Sequence, residues 1–282
     1  MQTIITIDEL RSALKPHRHQ NRRIALVPTM GNLHAGHIRL VEEAVKKADI
    51  VVASIFVNPL QFGANEDLDK YPRTLDADKL KLEAAGCDFL FTPSDHEVYP
   101  EGRNTQTLVE VPGLSELYCG HSRPGHFVGV ATVVCKLFNI VQPDIAFFGK
   151  KDFQQLRVIR KMVADLCIPI EIVGIPIVRA DSGLALSSRN GYLSAEELAA
   201  ASQMHQVLMD CADKIRQGER SFRELEDSAL NLLESSGFKR DYLRIVRQED
   251  LLAAQTEDTK LVILAAAYMR HTRLIDNIEI DL

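Results

Sequence analysis

Five apolar runs of strand length, at residues 24–27, 50–57, 89–91, 145–148 and 170–178, alternate with helical patterns at 37–47, 75–85, 128–141 and 153–166. No other feature of the chain restricts its fold as much. A strand written as an unbroken Val and Ile run is buried on both faces, and strands joined through helices run parallel with helices packed on either side. The first two-thirds of the chain are therefore expected to form a Rossmann-like, doubly wound α/β sheet. In such a sheet ligands bind beyond the carboxyl ends of the strands, so the segments that follow the strands are where chemistry is expected.

Past residue 176 the pattern changes. Helical spacing at 194–217 and 221–236 precedes strand-like runs at 242–246, 261–268 and 273–280, which predicts a smaller α+β domain. The expected division is 1–176, the ligand-binding Rossmann-like domain, and 177–282. Residues 93–124, rich in Gly, Pro and Ser, read as a long loop with one short strand at 107–111. A chain of 282 residues is long enough to give each domain its own core.

A formal net charge of −6 argues against nucleic acid as a partner, because affinity for a phosphate backbone comes from clustered Lys and Arg. Cys87, Cys119, Cys135, Cys167 and Cys211 are odd in number and form no C-x-x-C pair, as expected of reduced thiols in the cytoplasm. The start Met1-Gln2-Thr3-Ile4 lacks the basic and apolar regions of a signal peptide, and no apolar run approaches a membrane span. The expectation is a cytoplasmic protein without a membrane partner.

The first strand leads directly into Pro28-Thr29-Met30-Gly31-Asn32-Leu33-His34-Ala35-Gly36-His37, and then into a helix with apolar residues at Leu40, Val41, Ala44, Val45 and Ala48. Gly31 and Gly36 permit close approach of a ligand to the backbone, while the free N–H groups and dipole of a helix start attract anions. His34 and His37, three residues apart, face the same side, and each can donate to a phosphate oxygen. Read alone, the segment also suits a surface turn. Zinc is disfavoured because no cysteine or acidic ligand stands near the His-x-x-His pair.

Three further segments follow strands or join the two halves. Asn58-Pro59-Leu60-Gln61 brings two amides to the sheet edge, where Gln61 can both donate and accept; an ordinary Asn-Pro turn has the same spelling. Gly149-Lys150-Lys151-Asp152, followed by Gln154-Gln155, places positive charge and a capping aspartate at a second helix start, as a solvated lysine pair also would. Leu186-Ser187-Ser188-Arg189-Asn190 offers two hydroxyls and a guanidinium for phosphate oxygens, or simply a cap. Arg123 and His126 open another helix and are read as supporting residues behind the site. Asp76 and Asp78 suit helix caps, with Asp78 also a candidate for touching magnesium.

The string P-T-M-G-N-L-H-x-G-H after a strand resembles the ATP-binding signature of the pantothenate synthetases, or pantoate–β-alanine ligases. These belong to the H-x-G-H nucleotidyltransferases, which share that site with class I aminoacyl-tRNA synthetases. The likeness extends along essentially the whole chain through F-G-x-K-D-x-Q-Q at 148–155 and G-L-A-x-S-S-R-N at 183–190, the latter the counterpart of the synthetases' K-M-S-K-S loop. One departure is Ser182, which stands where the family has an acidic residue, with Asp181 one place earlier.

The resemblance implies ATP contacts at Met30, Gly31, His34, Gly36, His37, Gly149, Lys151, Asp152, Val178, Leu186, Ser187, Ser188 and Arg189. It implies pantoate and β-alanine contacts at Gln61 and Gln155, with Asn58 beside them. The expected reaction is ATP-dependent condensation of (R)-pantoate with β-alanine to pantothenate, AMP and pyrophosphate through a pantoyl adenylate, with Mg²⁺ and a homodimeric enzyme. In step one the pantoate carboxylate attacks the α-phosphorus without a general base, since a carboxyl is ionised at neutral pH. His34, His37, Lys151, Ser187, Ser188 and Arg189 are then the catalytic group facing the phosphates. In step two β-alanine attacks as a free amine, and His37 is the nearest motif residue with an ordinary pKa suited to act as base. Two other readings compete: an adenylyltransferase that leaves AMP on its product, and a nucleotide-binding regulator without turnover.

Overall fold

A computed structural model of the chain describes residues 1–63, 66 and 68–282. The first sheet comprises β1 (Gln2–Ile4), β2 (Ile24–Thr29), β3 (Ile50–Ile55), β4 (Phe89–Phe91), β5 (Ile145–Gly149) and β6 (Glu171–Ile175). All its pairings are parallel, in the order β1-β4-β3-β2-β5-β6. The main helices between its strands are α1 (Ile7–His19), α2 (Ala35–Lys47) and α3 (Leu75–Ala84). The long connection from β4 to β5 holds the short α4 (Asp95–Val98) and α5 (Cys119–Ser122) and the longer α6 (His126–Val141). Helix α7 (Phe153–Asp165) links β5 to β6.

The strands are buried on both faces, and alternate residues feed different cores. Ile24, Leu26, Ile50, Val52, Phe89 and Phe91 pack with Leu10 and Leu14 of α1 and with α6 and α7. Their neighbours Ala25, Val27, Val51, Ala53 and Leu90 pack on the other face with Val41 and Ala44 of α2 and Leu82 of α3. The period of two in a strand thus divides the helices between the faces, which is the doubly wound arrangement expected.

The chain then forms α8 (Ala195–Ala201), α9 (Gln203–Arg216) and α10 (Phe222–Ser235), followed by the antiparallel strands β7 (Lys239–Arg247), β8 (Lys260–Met269) and β9 (Thr272–Asp281). Leu243, Ile245, Leu261 and Ile263 meet these helices in a second core. Val246, Val262 and Leu264 point the other way and join the core of the large sheet. The small sheet is therefore covered by helices on one face and docked on the Rossmann-like unit by the other.

Four local expectations change. Residues 107–111 alternate like a strand but pair with no strand among the described residues; the Val109 N–H donates instead to Thr132 Oγ1 on α6 at 2.9 Å. The strand expected over 170–178 ends at Ile175, before Pro176, which has no N–H for a ladder. The helix expected over 194–217 divides at Ser202, which closes α8 and opens α9. β1 and α1 were not anticipated. Among the described residues no helix is long and apolar enough to cross a membrane.

In this strand order the chain runs outward from β2 through β3 to β4, then crosses to β5 and β6 on the other side. The reversal falls between β2 and β5. Their carboxyl ends, Thr29 and Gly149, flank a crevice of the kind where doubly wound sheets bind ligands.

Candidate functional site

A cleft of about 220 Å³ opens at that crevice. Met30, His34, Gly36 and His37 line it from the β2–α2 junction, Gly149, Lys151, Asp152 and Gln155 from the β5–α7 junction. Val178, Leu186, Ser187, Ser188 and Arg189 close it from the connection to the C-terminal part, and Asn58 and Gln61 form its floor after β3. A larger hollow of about 850 Å³ adjoins it, and Lys151, Asp152, Ser187 and Arg189 line both. Of the residues expected at the site, Gly31 and Asp78 alone lie outside these linings.

Those two residues shape the loop from behind. Gly31 takes φ +81°, and a Cβ there would lie 3.1 Å from Ile55 and 3.3 Å from Asp78 Oδ2. Asp78 is completely buried, accepting from the N–H of Asn32 and of Leu33 at 2.8 Å each and from Thr74 Oγ1 at 3.1 Å. Both carboxylate oxygens are thereby committed to holding the β2–α2 turn. This corrects the expectation that Asp78 touches magnesium: it faces the loop and not the cleft.

The two histidines cap the helix that they begin. His34 Nδ1 accepts from the Gly36 N–H at 3.1 Å, and His37 Nδ1 accepts from the His34 N–H at 3.3 Å. A Cβ on Gly36 would stand 2.8 Å from the His34 ring, so only glycine admits this arrangement. With Nδ1 an acceptor in both rings, the proton of each neutral imidazole sits on Nε2, the remaining polar atom. The ring centroids are 4.1 Å apart. Burial, then the His37 ring and Lys151, pushes His34 down to about 3. Burial, followed by the neighbouring Lys151, pushes His37 down to about 4. Both shifts favour the neutral ring, in which each histidine is an N–H donor from Nε2.

The Lys151 carbonyl accepts from Asn277 Nδ2 at 2.9 Å, while its ammonium makes no hydrogen bond or ion pair among the described residues and is available to an anion. Its neighbour Lys150 is used instead to join the two parts of the chain, through Glu279 on β9 at 2.6 Å. The Ser187–Arg189 turn is tied to the histidine loop, with Ser188 Oγ donating to Asn32 O at 3.1 Å and Asn32 Nδ2 donating to Ser188 O at 3.3 Å. Arg179 anchors the base of this connection by a bidentate pair with the buried Asp276, at 2.6 and 2.9 Å.

The floor is built from amides. Gln155 lines the cleft and its side-chain amide makes no hydrogen bond among the described residues, so it is available to a ligand. Gln61 is held at its backbone carbonyl by His126 Nδ1 at 2.8 Å and by Arg123, which also lines the adjoining hollow, at 3.3 Å. Asn58 lines the cleft, but its amide is consumed by protein partners and supports Gln61 instead of facing a ligand. The apolar wall of Val130, Val133, Val134 and Leu137 on α6 was not anticipated. In sequence these residues are indistinguishable from the rest of an apolar helix.

The sequence model of the pantoate-beta-alanine ligase family matches residues 2–279. The pantothenate synthetase of Pseudomonas entomophila is 59% identical over 282 residues, covering 100% of this chain and 98% of the relative. That of Shewanella oneidensis is 57% identical over 281 residues, covering 100% of both. Among solved structures, pantothenate synthetase from Thermus thermophilus superposes with a TM-score of 0.91 at 45% identity, covering 100% of each chain. The pantoate-beta-alanine ligase of Francisella tularensis, complexed with beta-gamma ATP and beta-alanine, gives 0.83 at 34% identity, covering 99% of this chain and 97% of that one.

Proposed function

The chain belongs to the pantoate-beta-alanine ligase family, and on that premise we propose how its cleft carries out the reaction. The enzyme condenses (R)-pantoate with β-alanine, using ATP and releasing pantothenate, AMP and pyrophosphate through a pantoyl adenylate. Membership sets aside both competing sequence readings.

A pantoate carboxylate oxygen attacks the α-phosphorus, the bond to the β-phosphate oxygen breaks, and pyrophosphate leaves. His34 and His37 donate from Nε2 to the phosphate oxygens, while Lys151, Ser187, Ser188 and Arg189 face the same charge from the other side. Fixed donors of this kind stabilise developing charge without rearranging. Gln61 and Gln155 hold pantoate on the floor. The amine of β-alanine then attacks the acyl carbon and AMP departs. The observation carrying this reading is that two histidine donors, Lys151 and the amides of Gln61 and Gln155 line one cleft.

Magnesium enters with ATP in this reading. Among the described residues no three His, Cys, Asp or Glu side chains cluster to hold a metal. Asp152 lines the cleft beside Lys151, and Mg²⁺ suits one carboxylate together with substrate phosphates and water. The reading also places the enzyme in the cytoplasm as a homodimer; five free thiols suit a reducing compartment.

The pH dependence tests this assignment. With pantoate and ATP but no β-alanine, exchange of labelled pyrophosphate into ATP is expected to vary less than about twofold from pH 6 to 9, because both histidines are already neutral there. It falls only as pH drops toward the His37 value of about 4, where protonation would set an Nδ1–H against the His34 N–H. The complete reaction rises with pH over the same range, since an amine is mostly protonated at neutral pH. Exchange that required β-alanine, or a histidine-like midpoint between 6 and 7, would contradict the assignment.

Gln155→Leu is expected to weaken pantoate far more than ATP. The substrate's polar groups would lose their partner at roughly 1–3 kcal/mol each, or about 5- to 150-fold in Kd. Separate titrations of the two ligands check this. Equal losses for both would mean that Gln155 supports the fold.

A further inference from the structure

Which end of the Gln61 amide faces the substrate is decided by residues outside the cleft. Asn58, 1% exposed, donates from Nδ2 to the Gly129 carbonyl at 3.1 Å, and its Oδ1 accepts from the Leu60 N–H at 3.3 Å. A carbonyl only accepts and a backbone N–H only donates, so these two bonds fix the orientation of the Asn58 amide. The other Nδ2 proton reaches Gln61 at 3.2 Å, and the atom receiving it must be Oε1. Gln61 Nε2 is therefore turned toward the cleft, where it meets Met30 Sδ at 2.8 Å.

The shortest bond in this relay comes from a residue that does not line the cleft. Tyr99 donates its hydroxyl to Asn58 Oδ1 at 2.7 Å. The ring is 3% exposed, packs 6.1 Å from Phe56 and lies under the Lys136 ammonium at 5.1 Å. Burial pushes the phenol well above its ordinary range, so the proton stays on oxygen. In a desolvated chain of hydrogen bonds each bond polarises the next, which strengthens the Asn58 bond to Gln61.

We propose that Tyr99 is a positioning residue for substrate selection: acting through Asn58, it keeps the Gln61 N–H₂ turned into the cleft, so the enzyme reads an acceptor oxygen of pantoate there. This rests on the reading above that Gln61 binds pantoate. A substrate offering only a hydrogen-bond donor at that point would meet a second donor and be rejected.

The test is pantoate-dependent pyrophosphate exchange by the whole enzyme and by Tyr99→Phe, which removes one oxygen and keeps the ring. KM for pantoate is expected to rise about tenfold, the equivalent of one buried hydrogen bond, with KM for ATP and kcat changed less than about twofold. In a Gln61→Ala background the same substitution should alter kcat/KM for pantoate less than about twofold, because the group it positions is gone. Asn58→Asp, which removes the donor and lets Gln61 turn its Oε1 outward, should raise KM for pantoate more than Tyr99→Phe does. Equal rises for ATP and pantoate, or the same effect with and without Gln61, would overturn the inference in favour of a merely structural role. If the unaltered enzyme showed no pantoate-dependent exchange, the reading of the cleft itself would fail and carry the inference with it.

Discussion

His37→Ala lowers pantoyl-adenylate formation about 10²- to 10³-fold in a single-turnover assay while the chain remains folded. That is the usual cost of removing one preorganised donor from a transition state that accumulates charge. The fold survives because the ring lost is half-buried at a helix start, where the cap it supplies to the His34 N–H contributes on the order of 1 kcal/mol. His37→Gln, which keeps an N–H donor, recovers part of the loss. Unchanged adenylate formation in His37→Ala would remove the residue from the first step.

Lys151→Met is expected to lose adenylate formation by a similar factor, through two separable effects. The ammonium no longer faces the phosphates, and the cation that helps to depress both histidines is absent. Their pKa values then move back up toward the ordinary histidine range, so the variant's exchange reaction should lose activity on acidification at a higher pH than the parent enzyme. A rate loss with an unshifted acid limb would mean that the two histidines do not feel this lysine.

The parallel sheet was legible because Val and Ile runs such as Ile50–Ile55, buried on both faces, spell themselves out in consecutive residues. The candidate site was legible for a related reason: its ligand-facing groups come in short strings at strand ends, as in Met30 to His37 and Gly149 to Gln155. What was hidden depends on contacts between distant segments. Asp78 looked like a helix cap or metal ligand, and only the approach of α3 to the β2–α2 turn, 45 residues away for Leu33, shows what its oxygens hold. Tyr99 is 41 residues from Asn58, and no local pattern joins them. The strand expected at 107–111 has the right alternation but spends an N–H on a threonine of α6. β1 is three residues long and α1 carries Pro16 within it, so neither gave a clear period. The spacing shows His37 as a motif residue with an ordinary pKa, and only its surroundings, burial and Lys151, show that pKa lowered.

In this cleft a pantoate oxygen displaces pyrophosphate before the amine arrives. That order is tested most directly with pantoate carrying ¹⁸O in its carboxylate, by mass analysis of the AMP released after β-alanine is added. One ¹⁸O should appear in the phosphate of AMP, because the oxygen that attacks phosphorus stays with it when the acyl carbon passes to the amine. AMP free of label would mean that no acyl adenylate forms, and the account of the cleft would be wrong.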